Sequence, residues 1–360
     1  MSDPTPSTWL ARTWPPLAAA AVSAVLATVL HQTGAVPVPR PAAAPQPRPA
    51  PERSDATDPA RLAPPPRPVR SYGWVRPAAD EVPEKVFSLP HAGPLPPACD
   101  LLAPAPGVPG LPFDQGQLGS CGPNAAGAAV MLARARAGLA PLPPPSRLFV
   151  YYTTRALMGT TRQDSGVSNT LMFRALRQSG WCAEPLWPYD VSRFRQRPPA
   201  AAYAAAAENK VADAAAVGMS LAALKTCLAV ARQPVVVGFE VFPSFETPEV
   251  DRTGDVPMPA RGEEPVGGHD VLVVGYDDAR QRFRFLNSYG PGWGAKGFGT
   301  LPYAYLTSPA LAGDFWTIGH GAPNPNPQPG PRAEPPGITI DPARKLITAP
   351  PDWTFAPLRP

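Results

Sequence analysis

Small and apolar residues run without a breaker from Cys121 to Ala137, past a proline at 123, and stop at Gly138. Proline is tolerated in a first helical turn because the N–H it lacks has no intrahelical partner there. The run therefore predicts a helix that begins at Cys121. A second helix is predicted from Ser168 to Ser179: Ser168 caps it, Leu171, Ala175 and Leu176 form a stripe, and Gly180 ends it. Ala200 to Val217 is alanine-rich and ambiguous. After that the apolar runs shorten to strand length. Pro234 to Phe242 is rich in Val and Phe, Asp270 to Tyr276 reads DVLVVGY, and Arg282 to Asn287 puts Phe283 and Phe285 on one face. Phe298 to Leu301 and Phe315 to Ile318 are shorter strands of the same kind. Helices first and strands later predict an α+β domain with separate helical and sheet lobes.

The pattern stops at both ends, where proline takes over. The chain has 56 prolines in 360 residues, about three times the usual share of roughly 5%. Residues 36–70 carry 12 of them and 320–360 another 12. Such segments favour extended polyproline conformation and bury too little apolar area to fold. Ahead of them, Arg12 precedes the uncharged run Leu17 to Leu30, and Thr33-Gly34-Ala35 offers small residues for cleavage. That run suits an export signal and is short for a spanning helix of about 20 residues. An uncleaved anchor over residues 14–30 is the competing reading. The expected organisation is an export signal or N-terminal membrane anchor (1–35), a Pro-rich disordered linker (36–71), an approach segment (72–94), a folded domain (95–319) and a Pro-rich, mostly disordered tail (320–360), in which Ile338 to Ile347 is a candidate short strand against the domain. The protein is then exported across the cytoplasmic membrane: periplasmic, secreted, or anchored.

Charge adds little. The net charge is +4, and residues 36–70 alone contribute six Arg against Glu52, Asp55 and Asp58. The folded part shows no basic face, which argues against nucleic acid as a partner. The four cysteines, Cys99, Cys121, Cys182 and Cys227, lack the close pairs of zinc sites, so no metal or other cofactor is expected. With Cys121 free, Cys99, Cys182 and Cys227 allow at most one disulfide, and the sequence does not choose among the pairings. A monomer is expected.

The chemistry narrows by counting histidines. His31 lies in the export segment, His91 in the Pro-rich approach and His320 at the start of the tail. Only His269 enters a strand of the folded domain. Cys121 ends the Gly-containing loop Asp114 to Ser120 and begins a helix. A helix N-terminus favours an anion, and the thiolate is the reactive form of cysteine. An imidazolium beside it favours the thiolate further.

Three segments then resemble the papain family of cysteine peptidases, particularly its bacterial members. Gln115 to Cys121 (QGQLGSC) resembles the nucleophile segment, Gly267 to Tyr276 (GGHDVLVVGY) the histidine strand, and Asn287 to Gly294 (NSYGPGWG) the asparagine segment, in the family's order. Trp187-Pro188-Tyr189 and Asp314-Phe315-Trp316 resemble further landmarks. The resemblance covers roughly 95–319 and implies a two-lobed fold, a helical lobe and an antiparallel β-sheet or barrel lobe with the active site in the cleft between them. It also implies roles. Cys121 attacks a peptide carbonyl as thiolate, His269 acts as imidazolium and proton donor, and Asn287 orients the imidazole. Gln115 and the Cys121 backbone N–H form the oxyanion hole. Ser165, Gly166 and Gly268 line the substrate edges, where an extended peptide pairs by strand addition. Tyr289 and Trp293 shield the His–Asn contact. The substrate is a peptide or protein, cut through an acyl-enzyme.

Three departures stand out. Gly122 and Tyr289 each replace a family Trp. Asp270 follows His269 where Ala is common, and strand alternation predicts that it faces away from the thiolate. The Pro-rich stretch before Leu95 cannot form the helical inhibitory propeptide of many relatives, which leaves open how activity is restrained. The loop Glu246 to Glu264 carries six acids against Arg252 and Arg261 and reads as a solvated loop. The glycines from Gly290 to Gly297 are a poor phosphate cradle, since Lys296 is followed by Gly and no helix follows. Other activities use the same residues: amide cleavage of cell-wall peptides, acyl transfer, or, without catalysis, peptide binding on this scaffold. Cys121-Gly122-Pro123 also hints at Cys-His peptidases that process leader peptides, but the asparagine motif fits these less well.

Overall fold

A computed structural model describes residues 70–102, 108, 110–139 and 142–319, and the backbone of 339–341 and 346–348. The export or anchor segment 1–35, the linker as far as residue 69 and most of the tail lie outside the described residues. No helix among the described residues is long and apolar enough to cross a membrane.

The order is β1 (Ala98–Asp100), α1 (Cys121–Arg136), α2 (Arg147–Met158), α3 (Asn169–Gln178), α4 (Ala200–Ala207), β2 (Ala215–Ala216), α5 (Leu221–Ala229), β3 (Val235–Val241), α6 (Pro248–Thr253), β4 (Gly267–Asp277), β5 (Arg282–Leu286), β6 (Phe298–Pro302), α7 (Tyr303–Leu306) and β7 (Ala312–Thr317). Two tail strands, β8 (Thr339–Asp341) and β9 (Leu346–Thr348), pair only with each other, antiparallel. The helical lobe is α1 to α4. The sheet lobe is antiparallel, in the order β2-β7-β3-β4-β5-β6, with β1 added to the far end of β4.

Helix α1 is central. Ala and Gly make up half of it, and twelve of its sixteen residues are buried. A helix apolar on every side must be covered on every side. It packs on β4 and β3, while α2 and α3 pack on each other and on α1. The ambiguous alanine run resolves into α4, a turn and the two-residue strand β2. Helix α2 follows three prolines and is rich in aromatic and β-branched residues, so its pattern gave no helical signal. Its ends explain why it forms: Ser146 Oγ accepts from Phe149 N at 3.1 Å, and Gly159 closes it with φ 72°.

Strand β4 does the positioning. Its first half pairs with β3, from Val241↔Gly267 to Val235↔Val273, and its second half with β5 and β1. His269 and Asp270 are therefore held on a central strand, both fully buried.

Candidate active site

Cys121, the first residue of α1, lies where the helical lobe meets β4. The preceding loop is fixed from several directions. Gly119 N donates to both Asp164 oxygens at 3.1 Å, and Tyr189 OH, 2.5 Å from Ser120 Oγ, also donates to Gln115 O at 2.9 Å. On the sheet side His269 Nε2 and Asn287 Oδ1 are 2.8 Å apart. Asn287 Oδ1 also accepts from Ser288 N at 2.8 Å. It is thus the acceptor for the ring, and Nε2 carries the proton. Nδ1 is buried without a hydrogen-bond partner, so its lone pair is free to take a proton.

Aromatic rings enclose the imidazole. Tyr289 stacks on it at 4.8 Å and 25°, and Phe239, Phe245 and Tyr72 meet it edge-on or tilted at 5.7–6.1 Å. Trp293 lies against Tyr289 at 85° and stacks on Phe245. Of the two residues expected to shield the His–Asn contact, Tyr289 stacks on the His269 ring and Trp293 packs behind it on Tyr289 and Phe245; Phe239 and Phe245 were not anticipated.

Gln115 is fully buried. Its Nε2 donates to Ser71 O at 2.9 Å and to Leu118 O at 3.0 Å, while its Oε1 accepts from Ser288 Oγ at 2.5 Å. Gln115 N also donates to Ser288 O at 2.9 Å. Ser288 thus joins the glutamine to the asparagine segment, a link that no sequence pattern announced.

The Ser71 carbonyl belongs to a strap, residues 70–76, that runs through the cleft. Ser71 Oγ donates to Gln117 O at 2.7 Å. Trp74 N donates to Gly268 O at 2.8 Å, Val167 N to Gly73 O at 2.8 Å, and Val75 N to Val167 O at 3.1 Å. Trp74 pairs parallel with Val167. Gly268 and Val167, beside Gly166, therefore pair with an extended segment of the chain itself. Gly166 itself donates to Tyr151 OH at 3.2 Å, and Ser165 Oγ turns inward to Thr160 Oγ1 at 2.8 Å, away from the strap. The acidic loop is not merely solvated: Glu246 accepts from Tyr72 OH, and Asp251 lies 3.8 Å from the Arg70 guanidinium, which also sits 3.9 Å over the Tyr289 ring. The signal for this strap was the aromatic-glycine-aromatic sequence Tyr72-Gly73-Trp74 inside a Pro-rich stretch.

One expectation is corrected. Asp270 does not face away from the nucleophile; Cys121 Sγ hydrogen-bonds its Oδ2 at 3.6 Å. Strand alternation does separate Asp270 from His269, but α1 packs on the Asp270 side. Gly122, with no side chain, lets the carboxyl come beside the sulfur.

The Cys121 thiol and the His269 ring are each held neutral. Burial first, then the Asp270 carboxyl, pushes the Cys121 thiol well above its usual range, against the opposing backbone amides of Asp270, Gly73 and Gly122. Burial lowers His269 to about 4, with Arg70 adding to it and the Asn287 hydrogen bond opposing. Burial is the leading cause of both shifts. The four cysteines are free, and no cluster of metal-ligating side chains is present among the described residues.

No family model matches the chain. It is 36% identical over 214 residues to an uncharacterized peptidase C1-like protein of Acanthamoeba polyphaga mimivirus, an alignment spanning 57% of this chain and 68% of the relative. Its structure is similar to xylellain, a cysteine protease from Xylella fastidiosa, with 33% identity, a TM-score of 0.62, and coverage of 69% of this chain and 96% of that one. The fold also matches procathepsin B S9 from Trypanosoma congolense, at 14% identity and a TM-score of 0.53, over 69% of this chain and 86% of that one.

Proposed function

This chain belongs to the papain-like family of cysteine peptidases, and from that premise we propose that it hydrolyses peptide bonds through Cys121, His269, Asn287 and Gln115. The observation that carries the residue assignment is Gln115 Nε2 holding a peptide carbonyl, that of Ser71, at 2.9 Å. A donor already seated on a carbonyl is what an oxyanion hole requires. The strap is not itself a substrate in this pose. The backbone amide of Gly73 faces the sulfur, and an N–H offers a nucleophile no electrophilic carbon.

Substrate and strap exclude each other, so catalysis begins when residues 70–76 leave the cleft. Water then reaches the pair, and the Cys121 proton passes to the bare Nδ1 of His269. The thiolate attacks the scissile carbonyl carbon. The developing oxyanion takes the Gln115 N–H that Ser71 occupied and the Cys121 backbone N–H. His269 returns its proton to the leaving amine, and a thioester remains. Water, deprotonated by Nδ1, cleaves the thioester and restores the thiol. Asn287 keeps Nε2–H engaged throughout, so only Nδ1 exchanges protons.

The test is peptide hydrolysis with mass detection of the acyl-enzyme. Cys121→Ala should abolish both. Gln115→Ala should lower kcat about 10²- to 10³-fold, the usual effect of removing one oxyanion donor. Full activity in Gln115→Ala would remove it from the mechanism.

A further inference from the structure

Two departures from the family pattern, Gly122 and Asp270, turn out to be one feature. Asp270 Oδ2 is 3.6 Å from the nucleophile's sulfur. A Cβ on Gly122 would come within 2.9 Å of the same oxygen and 3.3 Å of Met172 Sδ. A carboxyl beside this nucleophile thus needs glycine as the following residue.

The remaining contacts determine what that carboxyl does. Asn169 Nδ2 donates to Asp270 Oδ1 at 2.7 Å and to Asp314 O at 3.0 Å. Asn169 is the first residue of α3, behind the Ser168 cap, so its position is fixed by the helix. A donor on Oδ1 makes that atom the carbonyl oxygen of a protonated acid and leaves the proton to Oδ2, the atom facing sulfur. The surroundings favour the acid. Asp270 is fully buried and no Lys or Arg pairs with it among the described residues. The groups that face it are the Cys121 thiol from α1, Asn169 from α3 and the Asp314 carboxyl from β7; the His269 ring lies on the other face of β4. Burial first, and Asp314 after it, hold Asp270 well above the usual carboxylate range. A neutral acid beside a thiolate donates a hydrogen bond, whereas a carboxylate there would repel it.

We propose that Asp270 is a positioning residue for the nucleophile: its protonated carboxyl donates from Oδ2 to the Cys121 sulfur once that sulfur has passed its own proton to His269. The proposal rests on the peptidase reading of Cys121 and His269. The protons balance. The thiol proton moves to Nδ1, the carboxyl proton stays on Oδ2, and neither is gained or lost. While the thiol is protonated it donates to Oδ2; as a thiolate it accepts. In both states the sulfur is tethered to the same oxygen.

Two variants of the full-length protein separate donation from charge and from packing. Asp270→Val fills the space without a donor. Asp270→Asn keeps an acceptor for Asn169 and offers an N–H to sulfur. Asp270→Val should lose about ten- to a hundredfold in kcat with a smaller change in KM, as expected for a hydrogen bond to a charged group, and Asp270→Asn should recover most of that loss. If Asp270 donates as the acid, its ionisation contributes to the alkaline limb of the pH–rate profile, and that limb should move to higher pH in Asp270→Asn. An Asn variant as impaired as Val, or a Val variant as active as wild type, overturns the proposal. The infrared difference spectrum, wild type minus Asp270→Asn at neutral pH, reads the carboxyl directly and needs neither catalysis nor a foldable Val variant. A protonated-acid carbonyl stretch supports the proposal and a carboxylate band overturns it. If the wild type shows no peptide hydrolysis while the acid band is present, the peptidase reading fails and the carboxyl assignment survives.

Discussion

A methyl group has no room at Gly122. Gly122→Ala should cost about 1–3 kcal/mol, the usual range for overpacking a core, measured by denaturant unfolding. Because the clash is with Asp270 Oδ2, adding Asp270→Ala should relieve part of that cost; a strictly additive double mutant would show that the two positions do not interlock. The residues proposed for the chemistry stood out in the sequence because few candidates existed. Only one histidine lay in a strand, and one cysteine lay between a glycine loop and a helix. Ser288, Asn169 and the orientation of Asp270 were not legible. They depend on which face of β4 the helix α1 covers, and strand alternation fixes opposite faces without saying which face meets α1.

At the scale of elements, β1 and the two-residue β2 were not foreseen, whereas strands β3 to β7 and helix α1 followed from their apolar runs and α3 from its stripe and its Ser168 cap. Helix α2 did not, since its stability comes from Ser146, Gly159 and packing on α3 rather than from propensity. The strap has no apolar periodicity, and Tyr72-Gly73-Trp74 is its sequence signal; its hydrogen bonds are made with Val167, Gly268 and Gln115. Its weak point is Gly73, where a Cβ would lie 2.0 Å from Gly119 O. That oxygen belongs to a loop tied to Asp164, so it cannot retreat cheaply. Gly73→Ala should therefore displace the strap and speed the reaction of Cys121 with bulky thiol reagents by tenfold or more, if closure is worth at least about 1.4 kcal/mol. An unchanged rate would mean that the strap does not limit access.

The whole molecule links closure to pH through His269. In the closed form its pKa is about 4, against an ordinary 6.5. In Cys121→Ala, where no thiol can hand the ring a proton, the closed state between those values binds fewer protons than a state with the ring in water, so closure there is strongest above about 6.5 and weakens as pH falls toward about 4. The full effect is about 3 kcal/mol for a ring this buried. Trp74, 4% exposed under the strap's own contacts, reports the change. Its accessibility to a collisional quencher, taken as the difference between Cys121→Ala and Cys121→Ala with Trp74→Phe, should rise as pH drops through that window. The rise should vanish when His269→Ala is added.

The most direct test of the central claim is the site and stoichiometry of labelling by an irreversible thiol-directed peptidase inhibitor, mapped over Cys99, Cys121, Cys182 and Cys227. A Cys–His pair in a peptide cleft predicts one label per chain, at Cys121, absent in Cys121→Ala and greatly slowed in His269→Ala. Equal labelling of all four cysteines, or an undiminished rate in His269→Ala, would contradict it.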